Sequence, residues 1–166
     1  MNHSTLGRRG FIRNGMITGA ALSMSLGTAW AEGQPKRTRV GVIGCGSVSH
    51  SYLPHLSQCP YAELVSACDI KPERAAAQAA KFQIPNQYPH IDNMLAGAEF
   101  DLLVNLTNMQ EHEHLNRQAL EAGKHVWSEK PLANSLAAGQ ALLELSRKKG
   151  VRFWGAPCMV ESPQFA

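Results

Sequence analysis

The stretch Arg39-Val-Gly-Val-Ile-Gly-Cys-Gly-Ser-Val-Ser49 decides the fold. An apolar run (Val40, Val42, Ile43) ends in Gly44-Cys45-Gly46, and helix-compatible residues follow. A strand feeding a glycine turn feeding a helix is where a parallel α/β sheet receives the pyrophosphate of a dinucleotide. The third glycine of the G-x-G-x-x-G pattern is Ser49 here, so the turn needs support from the residues downstream.

That support comes from Glu63 to Asp69, which reads as a second strand ending in an acid about 20 residues after Ser49. A carboxylate there accepts hydrogen bonds from the adenosine ribose hydroxyls. Lys71, two residues on, tolerates a 2′-phosphate, so NAD is favoured and NADP stays open. The rest of the chain alternates. A helix is expected from about Ser47 to Gln58, kinked or stopped early by Pro54. Pro72 to Lys81 is Ala-rich with proline in its first turn, Tyr88 marks a short strand, and Ile91 to Ala96 a small helix. Phe100 to Leu106 is nearly continuously apolar, as a strand buried on both faces should be. A helix from Glu111 to Ala122 closes at Gly123, and Lys124 to Ser128 forms the next strand. Ser135 caps a helix reaching Lys149, Gly150 ends it, and Val151 to Trp154 is a last strand. The predicted fold is α/β: one Rossmann-type, doubly wound parallel sheet with right-handed crossovers.

The 166 residues suffice for one domain with a proper core. The formal charge of +3 resides in Arg8, Arg9 and Arg13, the only Lys, Arg, Asp or Glu side chains before Glu32. Without those three, the remaining basic residues equal the 13 acidic ones, so the mature chain carries no global basic signal for nucleic acid or anionic membrane. Residues 1–31 read as a removable leader: a basic region, a mildly apolar stretch from Met16 to Thr28, then Ala29-Trp30-Ala31. The stretch is too weakly apolar for a membrane span. Arg8-Arg9 followed by Phe11-Ile12 favours a twin-arginine signal over an ordinary secretory or lipid-anchored leader. The expected location is therefore periplasmic or otherwise exported. Residues 32–38 are a polar linker, 39–157 the domain, and 158–166 the start of a further connection.

Three features occur together: the glycine turn, a Thr107…His112 pair after a buried strand, and Ala122-Gly-Lys-His-Val-Trp-Ser-Glu-Lys-Pro-Leu132. With them the chain resembles the Gfo/Idh/MocA oxidoreductases, which include glucose-fructose oxidoreductase and inositol dehydrogenase. The resemblance covers Val40 to about Pro157. It implies that Gly44, Gly46, Ser47 and Val48 line the pyrophosphate and nicotinamide side, that Asp69 binds the adenosine ribose, and that Arg74 lies near the adenine. It places Thr107, Asn108 and His112 beside the dinucleotide, and Glu129 and Lys130 in the Glu-Lys-Pro motif, with Lys130 beside the nicotinamide and the substrate hydroxyl. Asn108-Met109 stands where the family usually has Pro-Asn. The implied activity is hydride transfer between a tightly held nicotinamide cofactor and a sugar or polyol hydroxyl. A redox-neutral NAD-dependent glycosidase and a non-catalytic dinucleotide-binding module are the alternatives. The resemblance also implies a second, substrate-binding domain beyond this sequence, a homo-oligomeric parent, and a fragment that is inactive alone.

Hydride removal from a carbinol carbon leaves a proton on oxygen, and a partly buried lysine such as Lys130 can shuttle it or hydrogen-bond the oxyanion. Glu111-His-Glu-His114 is metal-like in composition, but His112 and His114 are two apart and diverge on a helix, so no metal site is expected. The four cysteines, Cys45, Cys59, Cys68 and Cys158, show no framework spacing. Folding before export favours free thiols over a Cys45–Cys68 bridge. An exported protein finds no NAD pool outside the cytoplasm, so its cofactor must travel with it and be regenerated in place.

Overall fold

The computed structural model describes residues 36–156. The leader, most of the linker and residues 158–166 lie outside the described residues. The strands are β1 (Thr38–Ile43), β2 (Ala62–Cys68), β3 (Asn86–Tyr88), β4 (Leu102–Asn105), β5 (His125–Ser128) and β6 (Phe153–Gly155). The helices between them are α1 (Ser49–Gln58), α2 (Pro72–Phe82), α3 (Ile91–Leu95), α4 (His112–Glu121) and α5 (Leu136–Lys149). All pairings are parallel, and the strand order is β3-β2-β1-β4-β5-β6. This is the doubly wound order expected of a Rossmann sheet, with its reversal between β1 and β4.

The alternation along β1 explains why the sheet is covered on both faces. Val40 and Val42 pack with Leu53 of α1 and Ala75 and Ala79 of α2. Ile43 enters the opposite core, with Ile91 and Met94 of α3, Leu115 and Leu120 of α4 and Leu142 of α5. Leu103 and Val104 divide between the same two cores. Residues one apart on a strand point to opposite faces, so a strand with two buried faces must be apolar throughout.

Three expectations shift in detail. Helix α1 begins at Ser49, because residues 46–48 form the turn itself. Pro54 neither stops nor shortens α1, which runs to Gln58. The carbonyl deprived of a partner belongs to His50, an exposed residue, so water can supply that bond. The apolar stretch 100–106 gives a strand of only four residues, although Asp101 N–H to Arg39 O and Leu106 N–H to Ile43 O extend its bonding at either end. Elsewhere the punctuation reads as expected. The Ser135 hydroxyl accepts from Ala138 N–H, and Gly123 and Gly150 take positive φ at the helix ends.

Candidate functional site

The glycine turn is held by its neighbours. Gly44 has φ +89°, and a Cβ there would lie 2.6 Å from the Leu106 carbonyl carbon, so only glycine lets the end of β1 close onto the end of β4. Gly44 N–H donates to Cys68 O at 2.9 Å and Cys45 N–H to Asp69 Oδ2 at 2.8 Å. Ser49, standing where a third glycine is usual, is fully buried, and its hydroxyl donates to Gly46 O at 2.6 Å. A small side chain with an internal partner thus meets the packing demand that glycine meets in the common pattern.

Past this turn, the N–H groups of Gly46, Ser47 and Val48 donate to no acceptor among the described residues. Three consecutive free donors at the start of a helix form a nest suited to a phosphate group. They open on a cleft of about 800 Å³, in the size range of small-molecule and cofactor sites. Gly44, Gly46, Ser47, Val48, Asp69, Arg74, Thr107 and Asn108, all expected at the site, line it. The Arg74 guanidinium reaches back over the turn, with Nη1 3.5 Å from where a Gly46 Cβ would sit, and it forms no ion pair among the described residues. That places its charge over the glycine turn rather than only at the adenine end.

Asp69 is buried at the end of β2, and its Oδ1 accepts from Lys71 N–H at 2.8 Å. Each carboxylate oxygen therefore holds one backbone donor and keeps a lone pair for another. Asp69 does start a turn, and the same two bonds aim it at the cleft.

His112 does not reach the cleft. It is 1% exposed, with Nδ1 2.7 Å from Pro131 O and Nε2 3.0 Å from Thr107 O. Its place is behind the site, where it joins the Thr107 loop to the Lys130–Pro131 turn. His114 is exposed and lines the cleft, so the two imidazoles diverge. No group of three or more potential metal ligands occurs among the described residues. Glu129 and Lys130 lie outside the cleft lining. The Glu129 carboxylate accepts from the Tyr52 hydroxyl and, at 3.0 Å, from Lys130 N–H. Lys130 is exposed, not partly buried as expected. The Lys130–Pro131 peptide is cis.

Sequence reasoning missed the far wall. Glu111, His114, Leu115 and Gln118 share one stripe of α4 and its preceding turn, opposite Pro89 to Asp92. Gln118 Nε2 donates to Asp92 Oδ1 at 3.2 Å. Their spacing of three, four and seven is the helical signal that could have grouped them. Tyr52 had no such signal.

Residues 38–156 match the family described as "Oxidoreductase family, NAD-binding Rossmann fold". The chain belongs to this Gfo/Idh/MocA family. It is 31% identical over 113 residues to 4-carboxy-2-hydroxymuconate-6-semialdehyde dehydrogenase of Sphingobium sp., across 68% of this chain and 36% of that protein. It is 31% identical over 116 residues to D-apiose dehydrogenase of Paraburkholderia graminis, across 70% of this chain and 31% of that one. Among solved structures, the WlbA dehydrogenase of Bordetella pertussis in complex with NADH and UDP-GlcNAcA superposes with TM-score 0.72 at 28% identity, covering 78% of this chain and 40% of that one. The chain spans about a third of the length of these curated relatives. The nest and the buried acid fit the pyrophosphate and adenosine ribose of the NAD named in that family description.

Proposed function

We propose that this chain is the nucleotide-binding part of an oxidoreductase that moves hydride between a nicotinamide dinucleotide and a sugar or polyol hydroxyl. The observation that carries the reading is the convergence of three free N–H groups at Gly46–Val48 with the Asp69 carboxylate on one cleft at the β1–β4 reversal. The nest holds the pyrophosphate, Asp69 the adenosine ribose, and Arg74 adds a cation over the phosphates. When bound, the nicotinamide supplies the hydride chemistry. Thr107 and Asn108 flank it. Lys130 is the catalytic group, giving or taking the hydroxyl proton at Nζ. Asp69 favours NAD, while Lys71 and Arg74 leave room for NADP. The sugar or polyol class is supported by the names of relatives, a D-apiose dehydrogenase and a dehydrogenase solved with UDP-GlcNAcA.

The test is to purify the protein carrying this domain and to look for bound NAD and for NADH formed from sugars and polyols, beside a Lys130→Met variant. Activity lost in Lys130→Met while bound NAD stays unchanged supports the assignment; activity retained removes Lys130 from the chemistry. Export by the twin-arginine route rests on Arg8-Arg9, Phe11 and Ala29-Trp30-Ala31. Replacing both arginines with lysine and fractionating cells tests it: retention inside supports the route, and undiminished export contradicts it.

A further inference from the structure

We infer that Asn116 is a positioning residue for the second half of the dinucleotide, acting through a buried hydrogen-bond chain that fixes the Thr107 loop and the Lys130 turn as one template. This rests on the dinucleotide reading above.

The chain runs in one direction. Thr107 donates to Asn105 Oδ1 twice, from N–H at 3.2 Å and from its hydroxyl at 2.7 Å. Asn105 Nδ2 then donates to Asn116 Oδ1 at 2.9 Å. Asn116 Nδ2 donates to Ser128 Oγ at 3.0 Å and to Leu132 O at 3.1 Å, and the Ser128 hydroxyl in turn donates to Glu129 O at 3.1 Å. Asn105, Asn116 and Ser128 are all 0% exposed. A backbone N–H can only donate and a carbonyl can only accept, so Thr107 at one end and Leu132 at the other fix which way both amides face. Flipping either would set like groups against each other.

Stability alone does not call for this chain. The preceding positions on the same two strands are apolar: Leu103 and Val104 on β4, Val126 on β5. Well-packed apolar residues of similar shape in place of a satisfied polar pair are often neutral or stabilising. The polar residues occupy the last positions of β4 and β5, where Asn105 and Ser128 are register partners directly beneath the two loops. A fully satisfied buried network makes its surroundings rigid and unique. The first half of the site is anchored separately, through Cys45 N–H to Asp69 and Gly44 N–H to Cys68, with no link through Asn116. A dinucleotide lies across the reversal of strand order, so adenosine on the β2 side puts the second nucleotide over β4 and β5.

The experiment compares two ligands on the full chain: ADP, which carries the first nucleoside and the pyrophosphate, and NAD, which adds the second nucleoside. In Asn116→Leu, ADP affinity should stay within about twofold while NAD affinity falls about tenfold, because only the second half loses its template. A purely structural role would lower the melting temperature and leave the ratio of the two affinities unchanged. Should Asn116→Leu fail to fold, Ser128→Ala removes only the hydroxyl that accepts from Asn116 and donates to Glu129 O, and should shift the ratio the same way by about threefold. An unchanged ratio in a folded variant overturns the inference, as does wild-type chain that binds NAD no better than ADP. A wild-type chain that binds neither ligand overturns the dinucleotide reading itself.

Discussion

The Tyr52 hydroxyl on α1 donates a hydrogen bond to the Glu129 carboxylate beyond β5, across 77 residues of sequence. The helix that springs from the glycine turn is thereby tied to the turn bearing Lys130. Burial first, and then the Glu129 hydrogen bond and charge, push the Tyr52 hydroxyl up from its ordinary value, so it stays a donor. The ring meets Trp127 edge-on at 4.8 Å between centroids. Tyr52→Phe keeps that contact and deletes only the donor. It should cost about 1.5 kcal/mol, the low end for a hydrogen bond to a charged group, because the pair is only part-buried. Urea unfolding of the two proteins measures this, and equal midpoints would show that the bond contributes nothing.

Gly44 and Gly46 differ in what they serve. Gly44→Ala forces a Cβ to within 2.6–2.7 Å of Leu106 and Thr107 backbone at φ +89°, so the fold itself should lose more than about 2 kcal/mol. At Gly46 the nearest atom is the mobile end of Arg74 at 3.5 Å, so Gly46→Ala should unfold within about 1 kcal/mol of wild type. Chemical denaturation of both variants checks the contrast.

Asp101 and Arg39 pair at the opposite end of β1, with bonds of 2.7 and 3.1 Å between side chains and one of 3.0 Å from Arg39 N–H. Arg39 holds the Asp101 carboxyl down at about 2. The unfolded chain therefore binds this proton more readily. The stabilisation is complete above the ordinary carboxylate range and is lost as pH falls through it toward about 2. Both side chains are about one-third exposed, so solvent screens much of the effect. Denaturant midpoints should fall less steeply over that acid range in Asp101→Asn than in wild type. Parallel curves would contradict the assignment.

Cys45 and Cys68 are free, buried thiols, each pushed up to about 12. Burial is the main cause for both; Asp69 adds to it at Cys45, and Cys45 and Asp69 add to it at Cys68. They should stay unmodified by a thiol reagent at mildly alkaline pH in the folded protein and react once it is unfolded, whereas the half-buried Cys59 reacts sooner. Peptide mapping after labelling distinguishes the sites. Native labelling of Cys45 at the rate of Cys59 would contradict this.

The fold was legible because its signals are local. Alternating apolar runs, the caps at Ser135 and Gly150 and the proline at the start of α2 each state their element within a few residues. The near half of the site was legible for the same reason, since the glycine turn and Asp69 follow a fixed spacing. The role of His112 was not. Its position was expected beside the cofactor, but whether a helical imidazole faces the cleft or the loops behind it depends on how α4 sits on β4 and β5. Tyr52 and Asn116 were invisible on the same grounds. Their partners lie on other elements, and no spacing in the chain announces a contact made only when the sheet assembles. The exposure of Lys130 likewise depends on what packs near the turn, not on the motif that contains it.

The central claim is that the glycine turn grips a dinucleotide pyrophosphate. The direct measurement is calorimetric titration of the chain with NAD, beside Gly46→Ala, whose added methyl group stands where the pyrophosphate must approach the backbone. The account predicts saturable one-to-one binding by the wild-type chain and at least about tenfold weaker binding by a Gly46→Ala variant that is equally folded. Absence of saturable binding to the wild type, or equal affinity in the variant, would contradict it.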